Sequence, residues 1–378
     1  MLLIKNATVY APERLGKKDI LLAGGKIERI ADRLPEYEGC QVLDGTGRIA
    51  VPGFIDRHVH VTGGGGEGSF HTQAPPVKLS SLLAGGVTTV IGLLGTDGYS
   101  RSVENLVAKI KALKEEGISA YCICGAYGYP SPTITGSISK DILFIDEIIG
   151  LKLAISDHRA PNISVAELIR LGSDVRTAGM LSGKAGFVCL HMGDDKRGLE
   201  PVFEALSQTS IPIKTFQPTH VARSAKIQSD AMRFAKMGGT IDITCGDFDE
   251  VAGALAQARR EEVPMERITF SSDGQGSWSN YDDAGNLTEM GVSDVNTIYQ
   301  QIVYEVQEEK MELERALAFG TSNVARALEL YPKKGALREG SDADVLLMDE
   351  GLKLETVIAN GVVMMQAGKI IKKGTYEK

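Results

Sequence analysis

Two histidines stand two residues apart at His58 and His60, inside the run Pro52-Gly-Phe-Ile-Asp-Arg-His-Val-His. On a β-strand, residues i and i+2 point to the same side. Both imidazoles can therefore reach one cation. Four later apolar runs each bring one more potential ligand: Lys152, His191, His220 and Asp273. A single histidine on an apolar strand is more often a satisfied core residue. Here the chain has only six histidines, and four of them fall at these points. Imidazole and carboxylate donors suit zinc and its first-row neighbours. The whole set describes a two-metal site.

Lys152 is the unusual member, because it lies within Ile148-Ile-Gly-Leu-Lys-Leu-Ala-Ile. An ammonium buried there without a partner is costly. Two arrangements lower that cost. The lysine can pair with a carboxylate, or it can lose its proton by desolvation and be carboxylated by CO2. The carbamate is an anionic bidentate ligand able to bridge two cations. With four histidines and an aspartate nearby, the carbamate is the favoured reading.

The elements that must carry these groups alternate along the middle of the chain. Apolar β-like runs occur at residues 54–58, 87–93, 119–125, 150–155, 186–191, 213–220, 240–245 and 268–272. Helical periodicity fills most of the gaps, at 103–116, 165–177, 200–208, 224–237 and 250–262. Strands alternating with helices imply parallel βα units. Eight units imply an α/β fold, a (β/α)8 TIM barrel, whose active site forms at the C-terminal strand ends. The proposed ligands fall at or near the ends of five predicted strands: one, four, five, six and eight. Both chain ends differ from the middle. Residues 2–10, 19–23, 26–31 and 42–44 read as short strands between turns, and 343–348 and 356–365 repeat that texture. Asn360-Gly361 breaks the last run with a strong hairpin signal. The division is thus a small β-sandwich domain from residues 1–51 plus 336–378, and a catalytic barrel over 52–335.

Composition narrows the class. The chain has 378 residues, 43% of them hydrophobic, enough for one large core with a satellite domain. A net charge of −8 gives no general attraction for nucleic acid or an anionic membrane. The five cysteines lack zinc-finger spacing, and Cys122, Cys124, Cys189 and Cys245 read as small buried hydrophobes. The start of the chain lacks a signal-peptide pattern, and no apolar run has membrane-spanning length. The expected compartment is the cytoplasm. Gly92-Leu-Leu-Gly-Thr-Asp-Gly98 lacks the Gly-Lys-Ser/Thr ending of a phosphate loop.

The motifs as a set are specific. Pro52-Gly-Phe-Ile-Asp-x-His58-Val-His60, followed by the Lys, His, His, Asp order, resembles the amidohydrolase superfamily. The blocks Gly63-Gly-Gly-Gly-Glu67, Gly125-Ala-Tyr127, Lys152-x-Ala-Ile-Ser-Asp-His-Arg159, Pro218-Thr-His220-Val-x-Arg223 and Ser271-Ser-Asp273-Gly-x-Gly-Ser277 resemble its isoaspartyl (β-aspartyl) dipeptidase family. That resemblance covers almost the whole barrel. It implies a metal-dependent hydrolase holding two zinc ions on His58, His60, Lys152, His191, His220 and Asp273. Carboxylated Lys152 (N6-carboxylysine) and a hydroxide would bridge the metals. It implies a small dipeptide as substrate, no nucleic-acid or membrane partner, and a homo-oligomer, with an octamer as the family pattern.

It also implies roles. Metal-bound water has a pKa lowered toward neutrality, and Asp273 would pass a proton from it to the leaving nitrogen. Taken alone, Asp273 is equally a plain ligand or a turn residue before Gly274. The Gly-Ala-Tyr pattern selects Tyr127 over Tyr129 as donor to the developing oxyanion. An isoaspartyl dipeptide carries two carboxylates and one α-ammonium. Arg159 and Arg223 match the carboxylates, and Glu67 matches the ammonium. Gly65, Gly66, Thr96 and Ser277 match supporting substrate contacts, although turn and cap roles suit them too. His71 is expected to have no role, and His158 to be structural or to support Arg159. A cyclic amidase of the dihydroorotase or hydantoinase type would use the same metals but need no Glu67. A non-catalytic scaffold would have lost ligands, whereas all six are present.

Overall fold

A strand covered by a barrel core on one side and a helix on the other has no face for water, so it is apolar throughout. Eight segments, several of which carry buried polar residues such as Asp56, Arg57 and Asp242, are buried in this way along most of their length in the computed structural model, which describes residues 1–282 and 284–378. They are β1 (Phe54–Val59), β2 (Val87–Gly92), β3 (Ser119–Gly125), β4 (Ile148–Ile155), β5 (Phe187–Met192), β6 (Phe216–Thr219), β7 (Ile241–Thr244) and β8 (Ile268–Ser271). They lie side by side in chain order in one sheet, and every pairing is parallel. Helices fill the connections, and the eight strands with their helices make the expected TIM barrel.

Local sequence explains most of the boundaries. The helix Val103–Glu116 starts where the Ser102 side chain accepts from the Asn105 amide, and it ends at Gly117 in the left-handed region. Ser164 and Glu167 form a capping box at the start of Val165–Ser182. Two expectations are corrected. The run 213–220 is not one strand, because Ile213–Thr215 forms a 3-10 turn before β6. Met265–Arg267 does the same before β8. Each turn follows a proline whose carbonyl accepts the amide three residues on, Thr215 to Pro212 and Arg267 to Pro264, both at 2.9 Å. The helix expected over 250–262 is Phe248–Arg260, because Asp247 caps it by accepting from the Glu250 amide.

Among the described residues no ladder joins β8 to β1. The two meet at a single bridge, Val59 with Gly274, and the His60 amide donates to the Gly274 carbonyl at 2.9 Å. The buried Asp56 carboxyl spans the rest of this seam. One oxygen accepts from the His58 and Ser272 amides, each at 3.2 Å. The other accepts from the Ser272 hydroxyl. Burial pushes its pKa up to about 7, against the hydrogen bonds that favour the ionised form.

The two chain ends build one mixed sheet of nine strands. Its pivot is Leu2–Tyr10, which pairs antiparallel with Arg14–Ala23 and parallel with both Gln41–Asp44 and Ile49–Pro52. Ile49–Pro52 then pairs antiparallel with Val345–Met348, which joins the N-terminal strands to the C-terminal ones. The sheet curls back on itself. The Ala343 amide donates to Gly25, and Ile27 to Ser341, both at 2.9 Å. One face therefore encloses a core of its own, with Ile4, Ile20, Ile27, Val345 and Ile358 in a single cluster. Among the described residues no helix is long and apolar enough to cross a membrane, and all five cysteines are free thiols.

Candidate active site

The C-terminal ends of the barrel strands open into a cleft of about 1190 Å3. His58 lies within β1, and His60 lies one residue past its end. Their rings nevertheless face the same region, with centroids 5.7 Å apart. His220 directly follows β6, and its ring centroid is 4.9 Å from that of His58. Asp273 lies two residues past β8. His220 and Asp273 hold φ values of 61° and 53°, a left-handed backbone uncommon outside glycine. Such strain costs on the order of 1 kcal/mol or more per residue and gathers at functional sites.

These groups converge on one carboxylate. Asp273 Oδ1 lies 3.1 Å from His60 Nε2 and 3.4 Å from His58 Nε2. One ligand atom each from His58, His220 and Asp273 fits within a 4.8 Å cluster. The buried Nδ1 atoms of His58 and His60, and Asp273 Oδ1, make no hydrogen bond among the described residues. Burial, then the charges of neighbours, holds the pKa values of His58 and His220 well below the usual imidazole range. The neutral His58 and His220 imidazoles beside an unpartnered carboxylate oxygen are the kind of donor set a divalent first-row cation takes.

Lys152 reaches this cluster from below. It lies three residues before the end of β4, fully buried, and its long side chain brings Nζ to 3.0 Å from His58 Nε2. Among the described residues no carboxylate lies within ion-pair distance of it. The carboxylate-paired alternative therefore has no partner here. Burial lowers its pKa, which favours the free amine, the form able to add to CO2.

His191 stands at the edge of the group, its ring 4.6 Å from that of His220. Its nitrogens face elsewhere: Nδ1 lies 2.6 Å from the Tyr127 hydroxyl and Nε2 lies 2.9 Å from Asp157 Oδ2. Burial holds this imidazole neutral as well. Burial also pushes the Tyr127 phenol well above its ordinary range, so its O–H persists as a donor.

The opposite wall carries the substrate candidates. Glu67 accepts from the Ser277 hydroxyl at 2.9 and 3.0 Å and from the Thr96 hydroxyl at 2.9 Å. Arg159 Nη1 lies 3.7 Å from the same carboxylate. Arg223 donates to the Met192 carbonyl at 3.1 Å and lies 3.3 Å from His191 Nε2. Gly65 lines the cleft, and Gly66 does not. His158 is exposed on the rim, edge-on to Tyr281 at 4.8 Å. His71 lies in a 3-10 turn outside the cleft.

Two features escaped sequence reasoning. Asp157 takes a two-pronged contact from Arg159, at 2.8 and 2.9 Å, besides its contact with His191. Burial alone would raise its pKa, but hydrogen bonds from His191 and Arg159 outweigh that and hold it far below the carboxylate range. Its place in the loop after β4, two residues before an arginine, was the available signal. The second feature is a hairpin, Ser277–Tyr281 with Leu287–Val292, which brings Trp278 and Tyr281 to the cleft wall. Its alternation is too polar and too short to stand out.

Comparisons with known proteins identify the family. A family model described as the amidohydrolase family matches residues 188–373. A β-aspartyl dipeptidase from thermophilic, keratin-degrading Fervidobacterium islandicum AW-1, solved in complex with a β-Asp-Leu dipeptide, is 41% identical. That likeness covers 98% of each chain with a TM-score of 0.93. A D-hydantoinase from Thermus sp. is 18% identical over 100% of this chain and 98% of that one, with a TM-score of 0.68, a likeness of fold. A dihydroorotase of Listeria monocytogenes serotype 4a (strain HCC23) is 25% identical over 92% of this chain and 89% of its own length.

Proposed function

Since the chain belongs to the amidohydrolase superfamily, and within it to the β-aspartyl dipeptidase family, we propose that it hydrolyses the isoaspartyl bond of β-aspartyl dipeptides. The observation that carries this reading is Glu67. A carboxylate held by Thr96 and Ser277 on the cleft wall, with two arginines facing the same space, complements a substrate with one ammonium and two carboxylates. A dihydroorotate or hydantoin ring carries no ammonium for Glu67 to bind.

We assign two zinc ions to His58, His60, His220, Asp273 and carboxylated Lys152, and to His191, which would exchange its Tyr127 or Asp157 contact for the metal. When bound, they supply an acidified water and a Lewis acid. The protein's own groups do the rest. Glu67 takes the α-ammonium, and Arg159 and Arg223 take the carboxylates. Tyr127 donates its O–H to the oxygen that gains charge as water adds to the amide carbon. Asp273 accepts the proton of the attacking water and delivers it to the leaving nitrogen, so the C–N bond breaks to a neutral amine. A reducing cytoplasm is the compartment we propose, a reading supported by five cysteines that form no disulfide among the described residues.

The test is hydrolysis of β-Asp-Leu, α-Asp-Leu and dihydroorotate by protein loaded with zinc and bicarbonate. Cleavage of the β isomer alone is expected. Turnover of dihydroorotate with none of β-Asp-Leu would transfer the assignment to a cyclic amidase. Arg223→Lys is expected to raise KM about tenfold or more, because a point charge cannot replace the planar fork. Zinc content and kcat should stay near wild type. A loss confined to kcat would remove Arg223 from substrate binding.

A further inference from the structure

The glycine run that carries Glu67 is a pinned structure. Gly63 and Gly65 hold φ values of 85° and 82°. A Cβ on Gly63 would sit 2.0 Å from the Ala74 carbonyl oxygen, and one on Gly65 would sit 2.5 Å from that of Thr72. The Gly64 amide donates to Gln275, and the Ala74 amide to Gly64, at 2.8 and 2.9 Å. The glycines serve close approach of backbone to backbone.

One side chain holds these layers together. Arg101 lies in the loop after β2, directly before Ser102 caps the helix Val103–Glu116. Its guanidinium donates to three main-chain carbonyls. Nη1 reaches Thr62, and Nη2 reaches Ala74 at 3.0 Å and Gly64 at 3.3 Å. Among the described residues it has no ion-pair partner, and its Nε is buried without a hydrogen bond. A cation placed among carbonyls in this way fixes geometry, since its donors diverge in a rigid plane. A second tie runs alongside. Gln73 donates to Asp97 at 3.1 Å and to Ser100 at 2.8 Å. Both ties join the loop that contains Glu67 to the loop that contains Thr96, and those two side chains meet at 2.9 Å.

We infer that Arg101 is a positioning residue for the ammonium subsite: by clamping the Thr62, Gly64 and Ala74 carbonyls, it sets Glu67 and thereby the preference for substrates with a free α-amine. This rests on the proposed dipeptidase reading. It adds a residue outside the cleft lining that acts on substrate choice and not on metal binding.

Zinc-loaded wild type, Arg101→Met and Arg101→Lys would be compared on β-Asp-Leu and on succinyl-leucine, the same amide without the α-amine. Wild type should favour β-Asp-Leu. Arg101→Met should lose about tenfold or more in kcat/KM on β-Asp-Leu, mainly through KM. Its rate on succinyl-leucine and its zinc content should change little, and Arg101→Lys should recover part of the loss. Amide hydrogen exchange over residues 62–75 should quicken in Arg101→Met, while β1 stays protected. Equal losses on both substrates, or an unchanged substrate ratio, would overturn the inference. Should wild type fail to cleave β-Asp-Leu, the dipeptidase reading falls by itself. Exchange then decides the clamp alone: unchanged protection over 62–75 overturns it, and quickened exchange keeps it.

Discussion

Lys152→Ala should lose both metal and turnover, with kcat/KM on β-Asp-Leu falling by about three orders of magnitude or more. The size follows from what the side chain is assigned to do, since a ligand shared by two cations fails for both when removed. The structure sharpens the expectation. Lys152 is fully buried, 3.0 Å from His58 Nε2, with no carboxylate to pair with among the described residues. An ammonium held there for structure alone would be a buried charge facing an imidazole, an arrangement that destabilises the fold. Alanine should then leave the barrel as stable or more so, and the thermal midpoint measured without metal checks this. Short-chain carboxylic acids should restore part of the activity, because the vacated space admits a carboxylate where the carbamate stood. Zinc content by elemental analysis, with and without propionate, is the decisive readout. Full activity in the untreated variant would refute the carbamate.

Asp273→Asn should keep its metal and bind substrate, yet slow by roughly 10^3-fold in kcat, within the span that general acid–base groups contribute. The amide retains an oxygen for the cation but cannot accept a proton. Asp273 Oδ1 is the point on which His58 and His60 converge, and it has no hydrogen-bond donor of its own. That is the position of a group free to receive a proton during the reaction. Steady-state kinetics beside zinc analysis separates the two roles. Loss of zinc in proportion to loss of rate would make Asp273 a ligand only, and a kcat within tenfold of wild type would discard it as the shuttle.

The barrel was legible because its strands are buried on both faces, so they read as mostly apolar runs whose few polar interruptions, such as His58 and Lys152, stand out. Helical periodicity placed three helix starts within a residue of those that Ser102, Ser164 and Ser224 cap. Elements that depend on distant partners were not legible. Ile49–Pro52 is four residues long and becomes a strand only because Val345–Met348 lies beside it. The helices after β8 and the hairpin over the cleft carry no cap or apolar run strong enough to announce them. At the site, residue type and spacing pointed to groups that the structure gathers, His58, His60, His220 and Asp273 with Lys152 beneath them, because His-x-His and a buried lysine have few other uses. Asp157 shows where that ends. Its significance lies in touching Arg159 and His191 at once, and His191 lies on another strand.

The seam between β8 and β1 has a further consequence for how the molecule is made. The first two donors and the last sit on opposite sides of that seam, with nearly the whole barrel between them in the chain. A nascent polypeptide can fold several βα units and still offer a cation only an open half-site. On the proposed ligand set, the site is completed only when the final strand docks, with Asp56 on Ser272 and Asp273 beside His58 and His60. A cation that spans the joint binds the closed ring and not the open one, so by mass action it acts as a rivet. Ring closure and competence for chemistry then become a single event, and an incomplete chain is kept from acting as an enzyme.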